Sequence, residues 1–295
     1  MDQFGLDSVV RWTSIKLTLM GEKPLDGRTA VITGASAGLG AAAARRLSAL
    51  GATVAVVGRS PVKTAAVADS IGADPYTVDF GRLADVRALA ATLASRYPTI
   101  DILANNAGSQ FRQRTVSEDG HEMTLQVNHL APFLLTNLLL DNITRSDDPR
   151  VITTASAAHG HGHIDLADPN GVGKRYNSLR RYAIAKLGNV LFSGELGRRA
   201  PVSAVCFHPG PVVSDFFRES PVTRFLVFSP LGRLLLKSAD QGAAPLVHLA
   251  TVTDIRALNG AYFDKLRQRT PKGRQAGDTE LARRFWARSA SLVGL

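Results

Sequence analysis

The stretch Thr29-Ala-Val-Ile-Thr33-Gly34-Ala35-Ser36-Ala37-Gly38-Leu39-Gly40, running on into Ala41-Ala-Ala-Ala44, decides how this chain folds. Thr29 to Thr33 is a short β-branched apolar run of strand type, and Ala41 to Leu50 reads as a helix stopped by Gly51 at its C′ position. Gly34, Gly38 and Gly40 lie between them. They let the backbone turn tightly and come close to a phosphate. The helix start then offers unpaired N–H groups and the positive end of the helix dipole to a pyrophosphate. The spacing is G-x-x-x-G-x-G rather than G-x-G-x-x-G. A merely structural turn would also use glycine, so the inference rests on the placement between first strand and helix.

Outward from this turn the pattern repeats. Thr53 to Val57, Tyr76 to Asp79, Asp101 to Ala104, Arg150 to Thr154, Val202 to Phe207 and Gly260 to Phe263 read as strands. Val62 to Ser70, Leu83 to Arg96, about Glu118 to Leu140, Leu179 to Arg199 and Ala239 to Ala250 read as helices. Strands alternating with helices predict an α/β protein: a doubly wound parallel sheet of Rossmann type flanked by helices. Several strands are apolar on both faces, as expected when helices cover both sides. The simplest organisation is an N-terminal extension over residues 1–24 and one domain over 25–295, with irregular segments at 157–178 and 210–238. In the extension, Leu6, Val9, Val10, Leu17 and Met20 fall near one helical face, which docks on the body or touches lipid.

Composition removes several classes. With 295 residues, 45% hydrophobic and 20% charged, the chain fits neither a disordered nor a collagen-like protein. Its single cysteine, Cys206, sits in an apolar run, so a disulfide within the chain is impossible and core filling is the plain reading. The longest uncharged run, Met123 to Leu140, contains Gln126, Asn128, His129, Pro132 and Asn137 and suits a buried helix better than a span of about 20 apolar residues. The start of the chain lacks an apolar signal region. These features lead us to expect a cytoplasmic protein that is neither secreted nor membrane-spanning. The net charge of +10 lies wholly in the second half: residues 1–150 carry 15 basic and 15 acidic groups, and 151–295 carry 20 and 10. Such asymmetry suits an anionic partner or simply a solvated surface.

Strand two ends Val57-Gly58-Arg59-Ser60. An acidic residue here would bond the adenosine ribose 2′-hydroxyl and repel a 2′-phosphate. Gly58 and the cation Arg59 instead favour NADP(H) over NAD(H), because a guanidinium pairs with phosphate through charge-assisted hydrogen bonds.

Taken together, these motifs resemble the short-chain dehydrogenase/reductase family. The T-G-x-x-x-G-x-G turn runs from Thr33 to Gly40, and Asn105-Asn106-Ala107-Gly108 follows strand four. Asn128 lies on a helix and Ser156 follows strand five. Tyr182 and Lys186 form Y-x-x-x-K, and Pro209-Gly210 follows strand six. Their joint order is far more specific than any one motif, and the resemblance covers about residues 25–290. Ala158-His159 after the serine, the long gap from 156 to 182, Lys186-Leu-Gly-Asn-Val-Leu-Phe192 and His208-Pro-Gly-Pro-Val-Val-Ser214 are most similar to the retinol-dehydrogenase-like branch. Thr153-Thr154-Ala155-Ser156 departs from the frequent paired serines, and Ser214 stands where threonine is common; no catalytic position is lost.

The resemblance implies hydride transfer between a carbonyl and an alcohol, with Tyr182 as acid/base. Free tyrosine, with a pKa of about 10, exchanges protons poorly near neutrality. Lys186 lies one turn on, projects from the same face, and is expected to lower the Tyr182 pKa. By the resemblance, Lys186 also bonds the nicotinamide ribose, Ser156 holds the substrate oxygen, and Asn128 binds a water linking Lys186 to solvent. Gly34, Ser36, Gly38, Leu39, Gly40, Arg59, Asn106, Ala107, Gly108, Pro209 and Gly210 complete the expected cofactor site with Tyr182 and Lys186. Val212 and Ser214 join them on the carboxamide and phosphate side. Asp79 is either an adenine neighbour or a turn acid.

The run His159, His161, His163 alternates with glycine but lacks the companions of a metal site, so no metal is expected and a loop near the substrate mouth is the reading. Phe216, Phe217, Phe225, Phe228 and the leucines up to Leu236 lie in the segment that by resemblance covers the substrate. They either pack on the body or bind a small to medium lipophilic alcohol, aldehyde or ketone. Lys265, Arg267, Arg269, Lys272, Arg274, Arg283, Arg284 and Arg288 could bring the protein to anionic lipid at the inner membrane face. Absence of vesicle co-sedimentation at low salt would count against that. Nothing in the sequence accompanies this charge with a nucleic-acid motif, and the family often forms homo-oligomers. The alternatives from other classes are a non-catalytic NADP(H)-binding regulator and a membrane-surface scaffold.

Overall fold

The computed structural model describes residues 23–211 and 238–295. The expected N-terminal helix, Val212, Ser214 and nearly all of the expected substrate-covering segment lie outside them.

The strands are β1 (Thr29–Thr33), β2 (Thr53–Gly58), β3 (Asp74–Thr77), β4 (Ile102–Asn105), β5 (Arg150–Thr154), β6 (Ser203–His208), β7 (Tyr262–Asp264) and β8 (Arg267–Arg269). They form one sheet in the order β3-β2-β1-β4-β5-β6-β7-β8. All neighbours run parallel except β7 and β8, which form an antiparallel hairpin. The chain leaves β1 toward β2 on one side and returns to β4 on the other. The crevice where the strand order reverses, at the carboxyl ends, is where open α/β sheets bind ligands.

Alternation along each strand feeds two cores. Ala30 and Ile32 of β1 face helices α1 (Gly38–Ala49) and α8 (Ala239–Thr251), where Ala41 to Ala44, Leu47, Leu246 and Leu249 are buried. The small alanines let these two helices approach closely. Val31 and Leu103 face the other layer, made by α3 (Leu83–Arg96), α5 (Ala131–Leu138), α7 (Ser178–Arg199) and α9 (Thr279–Val293), with Phe133, Leu191 and Phe285 in its core. Shorter helices are α2 (Pro61–Asp69), α4 (Met123–Leu125) and α6 (Leu140–Thr144).

Three expectations are corrected. Strand three lies at Asp74–Thr77, not Tyr76 to Asp79, because it pairs in register with Ala55 to Gly58 and ends where β2 ends. The helix expected from Glu118 starts at Met123: Gly120 turns with a positive φ, and the Glu122 carboxylate caps the Thr124 and Leu125 N–H groups. That helix is also not uniform. Residues Gln126–Leu130 form a π-helical turn, since Pro132 has no N–H to offer the Asn128 carbonyl and the ladder widens there.

The sequence pattern does not announce strand β8 or helix α9, which lie in the strongly basic C-terminal part of the chain. Yet Ala282, Phe285, Ser289 and Val293 are buried at helical spacing, Asp278 caps the start, and Gly294 closes the end at φ 68°. Cys206 is buried in the core, and burial pushes its thiol up to about 12. No helix among the described residues is long and apolar enough to cross a membrane.

Candidate active site

The glycine turn is held by Thr33. Its Oγ1 donates to the Ala104 carbonyl (3.1 Å) and accepts from the Asn106 and Ala107 N–H groups (2.9 and 3.0 Å). Asn106 Nδ2 donates back to the Thr33 carbonyl at 2.9 Å. The ends of β1 and β4 are thereby locked together. A Cβ on Gly34 would lie 2.8 Å from Ala107 Cα, and one on Gly40 would lie 2.3 Å from the Gly34 carbonyl oxygen. Gly38, at φ 55°, faces open space. Helix α1 begins there behind Ala37, which has no side chain to cap the first N–H groups. An uncapped helix start in a glycine cradle fits a pyrophosphate, so the residues present suit a dinucleotide.

At the end of β2, a Cβ on Gly58 would lie 2.4 Å from Thr64 Oγ1 and 2.7 Å from Ser36 Cβ. The slot for an acidic residue is therefore closed by packing. Arg59 beside it is exposed. Asp79 is exposed two residues beyond β3, and its Oδ1 accepts the Gly81 N–H at 2.8 Å, the arrangement of a turn acid.

Tyr182 and Lys186 sit one turn apart on α7, whose start is capped by Asn177. Lys186 is buried; its Nζ donates to the Thr154 carbonyl at 3.0 Å and stands 5.6 Å from the Tyr182 ring centre. Ser156 Oγ accepts the Ala158 N–H at 3.2 Å, which leaves its own proton for the Tyr182 side chain, its other hydrogen-bond partner. Asn128, in the π-helical turn, donates through Nδ2 to the carbonyls of Ser109 (2.6 Å) and Thr124 (2.8 Å). Its buried Oδ1 has no hydrogen-bond partner among the described residues. That oxygen and Lys186 Nζ lie 2.6 and 3.3 Å from where Gly108 would carry a Cβ, so both face one small space.

These groups meet in a cavity of about 430 Å³. Gly34, Leu39, Gly40, Asn106, Gly108, Ser156, Tyr182, Lys186, Pro209 and Gly210 line it, together with Thr154, Ala155, His208 and Pro211, which sequence reasoning missed. The signal for the latter was position alone: they stand at or just past the carboxyl ends of β5 and β6. Ser36, Gly38, Arg59, Asp79 and Ala107 do not line it, and Asn128 touches it only through Gly108.

Residues 28–168 match the model for the short chain dehydrogenase family. Over 277 residues the chain is 39% identical to a Streptomyces sp. (strain C5) protein named as a candidate daunorubicin C-13 ketoreductase, covering 92% of this chain and 94% of that one. It is 37% identical to human retinol dehydrogenase 13, covering 92% and 86%. A solved structure of a Mycobacterium paratuberculosis protein superposes with a TM-score of 0.74 at 32% identity, covering 92% and 94%. The chain belongs to the short-chain dehydrogenase/reductase family.

It stands in the retinol-dehydrogenase-like branch of that family, whose members are oxidoreductases using a nicotinamide cofactor. In this short-chain dehydrogenase/reductase one electrostatic expectation fails. Tyr182 was expected below its ordinary value, but burial pushes it up to about 12 against a smaller downward pull from Ser156. Burial equally drives Lys186 down to about 7. Both charged forms are opposed by the same dry surroundings.

The histidine run is not a plain loop. It folds as a 3-10 turn over Ala157–His161 with His159 buried. Among the described residues, no three His, Cys, Asp or Glu side chains converge as metal ligands.

Proposed function

We propose that the protein is an NADP(H)-dependent oxidoreductase that interconverts a carbonyl and an alcohol on a small to medium lipophilic substrate. The observation that carries this is the meeting of Ser156, Tyr182 and Lys186 in the cavity into which the Gly34–Gly40 turn opens. Bound at that turn, the dinucleotide supplies the hydride.

The chain's own residues supply position and protons. Gly34, Gly38, Leu39 and Gly40 present backbone N–H groups to the pyrophosphate, and Asn106 to Gly108 shape the wall beside it. Ser36 and Arg59 would favour the 2′-phosphate, Asp79 would meet the adenine end if its turn allows, and Pro209, Gly210, Val212 and Ser214 would hold the carboxamide side. Ser156 donates to the substrate oxygen and holds it beside Tyr182. Tyr182 gives its proton to the alkoxide as the carbonyl is reduced, and takes it back in the reverse direction. Lys186 bonds the nicotinamide ribose. A water between Lys186 Nζ and Asn128 Oδ1, which lacks a partner among the described residues, would satisfy that oxygen and pass protons onward. Tyr182 would feel the charge of Lys186 together with that of a bound oxidised nicotinamide, and both would favour its phenolate against burial.

Relatives named for retinol and for a ketone of daunorubicin support a lipophilic substrate. The test is loss of reduced-nicotinamide absorbance with NADPH and separately with NADH, against a panel of apolar aldehydes and ketones. Turnover with NADPH that vanishes in Tyr182→Phe is the expected result. Tight NADPH binding with no turnover on any compound would favour a regulator instead.

A further inference from the structure

The turn that follows Ser156 is gripped from both sides. A Cβ on Gly162 would lie 2.7 Å from the Ala183 carbonyl oxygen of α7, so the turn is pressed onto the helix that carries Tyr182. On its other side lies the segment 272–276. A Cβ on Gly273 would lie 2.9 Å from the Gly160 carbonyl oxygen. Gln275 forms a two-way clamp on Ile164, accepting its N–H at 2.8 Å and donating to its carbonyl at 3.2 Å.

His159 sits buried at the centre of this contact, edge-on to Tyr262 with ring centres 4.7 Å apart. Its Nε2 meets the Lys272 backbone N–H at 3.0 Å, and that group can only donate. Its Nδ1 meets the Ser156 carbonyl at 2.6 Å, and that group can only accept. The two partners fix the ring as the neutral Nδ1–H form. The Ser156 carbonyl therefore takes two bonds from one residue, the second from the His159 backbone N–H at 3.0 Å.

We infer that His159 is a positioning residue for Ser156: Nδ1–H holds the serine's backbone in place, and the Lys272 N–H, acting on the far nitrogen, keeps the proton on Nδ1. The inference rests on the reading of Ser156 as part of the active site. It assigns a role in the chemistry to a segment, 272–276, that never touches the cavity. A serine that must place its hydroxyl between Tyr182 and a substrate oxygen loses rate when its backbone drifts by a fraction of an ångström.

Two substitutions separate the two bonds. The amide of His159→Asn stands near the place of Nδ1 and still donates to Ser156. The amide of His159→Gln reaches the place of Nε2 and still accepts from Lys272. We expect kcat of His159→Gln to fall about tenfold with NADPH affinity unchanged, and His159→Asn to stay within about twofold. Because each variant loses one bond, a general loss of stability would lower both alike. Equal loss in the two variants, or none in His159→Gln, overturns the inference.

The pH profile adds a second readout. Protonating Nε2 would set it against the Lys272 N–H. Burial, with Lys272 and His161 facing the ring, holds His159 below the ordinary histidine range, while the Ser156 carbonyl favours the charged form. An acid limb in kcat below that range is expected, and it should be missing in His159→Asn. A proton–nitrogen correlation spectrum of the ring tests the geometry without turnover. A neutral Nε2–H form overturns the inference whether or not a substrate is known. Failure of the active-site reading shows elsewhere, as turnover surviving in Tyr182→Phe or absent in the wild type, and in the latter case the spectrum alone decides.

Discussion

The two halves of the sheet build their parts of the cavity from different material. On the β1–β4 side the wall is backbone: Gly34, Gly40 and Gly108 matter for the side chains they lack, and the groups presented are N–H donors at an uncapped helix. On the β5–β6 side the wall is side chains in buried networks, with Lys186 tied to Thr154 and Ser156 tied to Ala158 and His159. Backbone recognition draws on its own turn and on one neighbouring strand end, where Asn106 and Ala107 bond to Thr33. Side-chain placement draws on residues far along the chain: Lys272 and Gln275 brace the serine turn, and Phe285 and Ser289 of α9 brace the π-helical turn of Asn128.

If that division is right, damage on the two sides should fall on different constants. The largest effect is expected from Tyr182→Phe. Removing the proton donor should lower kcat about a thousandfold while NADPH affinity stays within a few-fold. A variant that loses cofactor affinity in step with kcat would break the comparison, because Tyr182 would then belong to both walls.

Gly40→Ala probes the other side. Its Cβ would meet the Gly34 carbonyl at 2.3 Å, a backbone atom that cannot swing away. Overpacking of this kind costs about 1–3 kcal/mol, so NADPH affinity should weaken by up to about a hundredfold. Turnover at saturating cofactor should change little. A fall in kcat with affinity intact would show that the glycine cradle positions chemistry rather than phosphate.

The same division explains what the sequence made legible. Gly34, Gly38, Gly40 and Tyr182–Lys186 are local: their meaning lies in spacing along one turn or one helix, and Gly34, Gly40, Tyr182 and Lys186 line one cavity while Gly38 stands outside its lining. The strands of the doubly wound sheet were readable for a like reason, as apolar runs between breakers. His159 and Ser289 were not readable. The histidine after Ala158 marks the branch without naming its partner, a serine among arginines carries no pattern, and each acquires its partner only when strands and helices distant in sequence pack together. Tyr182 shows the limit in energy rather than position. Its lysine neighbour was visible in the spacing, but the depth of burial that outweighs it was not.

Acid stability sharpens the comparison from the side-chain half. His129 is buried, stacked on Phe285 at 4.6 Å and bonded through Nε2 to Ser289 at 2.9 Å. Burial, with Lys186 adding repulsion, lowers it to about 4. The folded pKa lies below the unfolded one, so the neutral form is favoured by folding. Its stabilisation is complete above about pH 6.5 and is lost progressively as pH falls toward about 4. At about pH 5 the loss should be about 2 kcal/mol, with His159 and His248, also lowered by burial, adding in the same direction. Urea unfolding at several pH values would measure it, and His129→Gln should flatten the slope. An unchanged slope would mean that His129 takes up no extra proton on unfolding in this range.

Arg59→Ala is the smallest of these effects and the most specific. Arg59 is exposed, so its attraction to a 2′-phosphate acts through water and is weakened by salt. Removing one charge-assisted contact there should weaken NADPH binding about tenfold at low salt and less at high salt. NADH carries no 2′-phosphate, so its affinity should not move. Equal weakening of both cofactors would make Arg59 a general contributor to the field around the cradle. No effect on either would leave Ser36 and the closed Gly58 slot as the whole of any preference: a site that admits the phosphate by lacking an acid rather than by holding a cation. The salt dependence helps separate these cases, because a guanidinium in contact with the phosphate steepens the NADPH salt slope relative to NADH, and its removal narrows that difference.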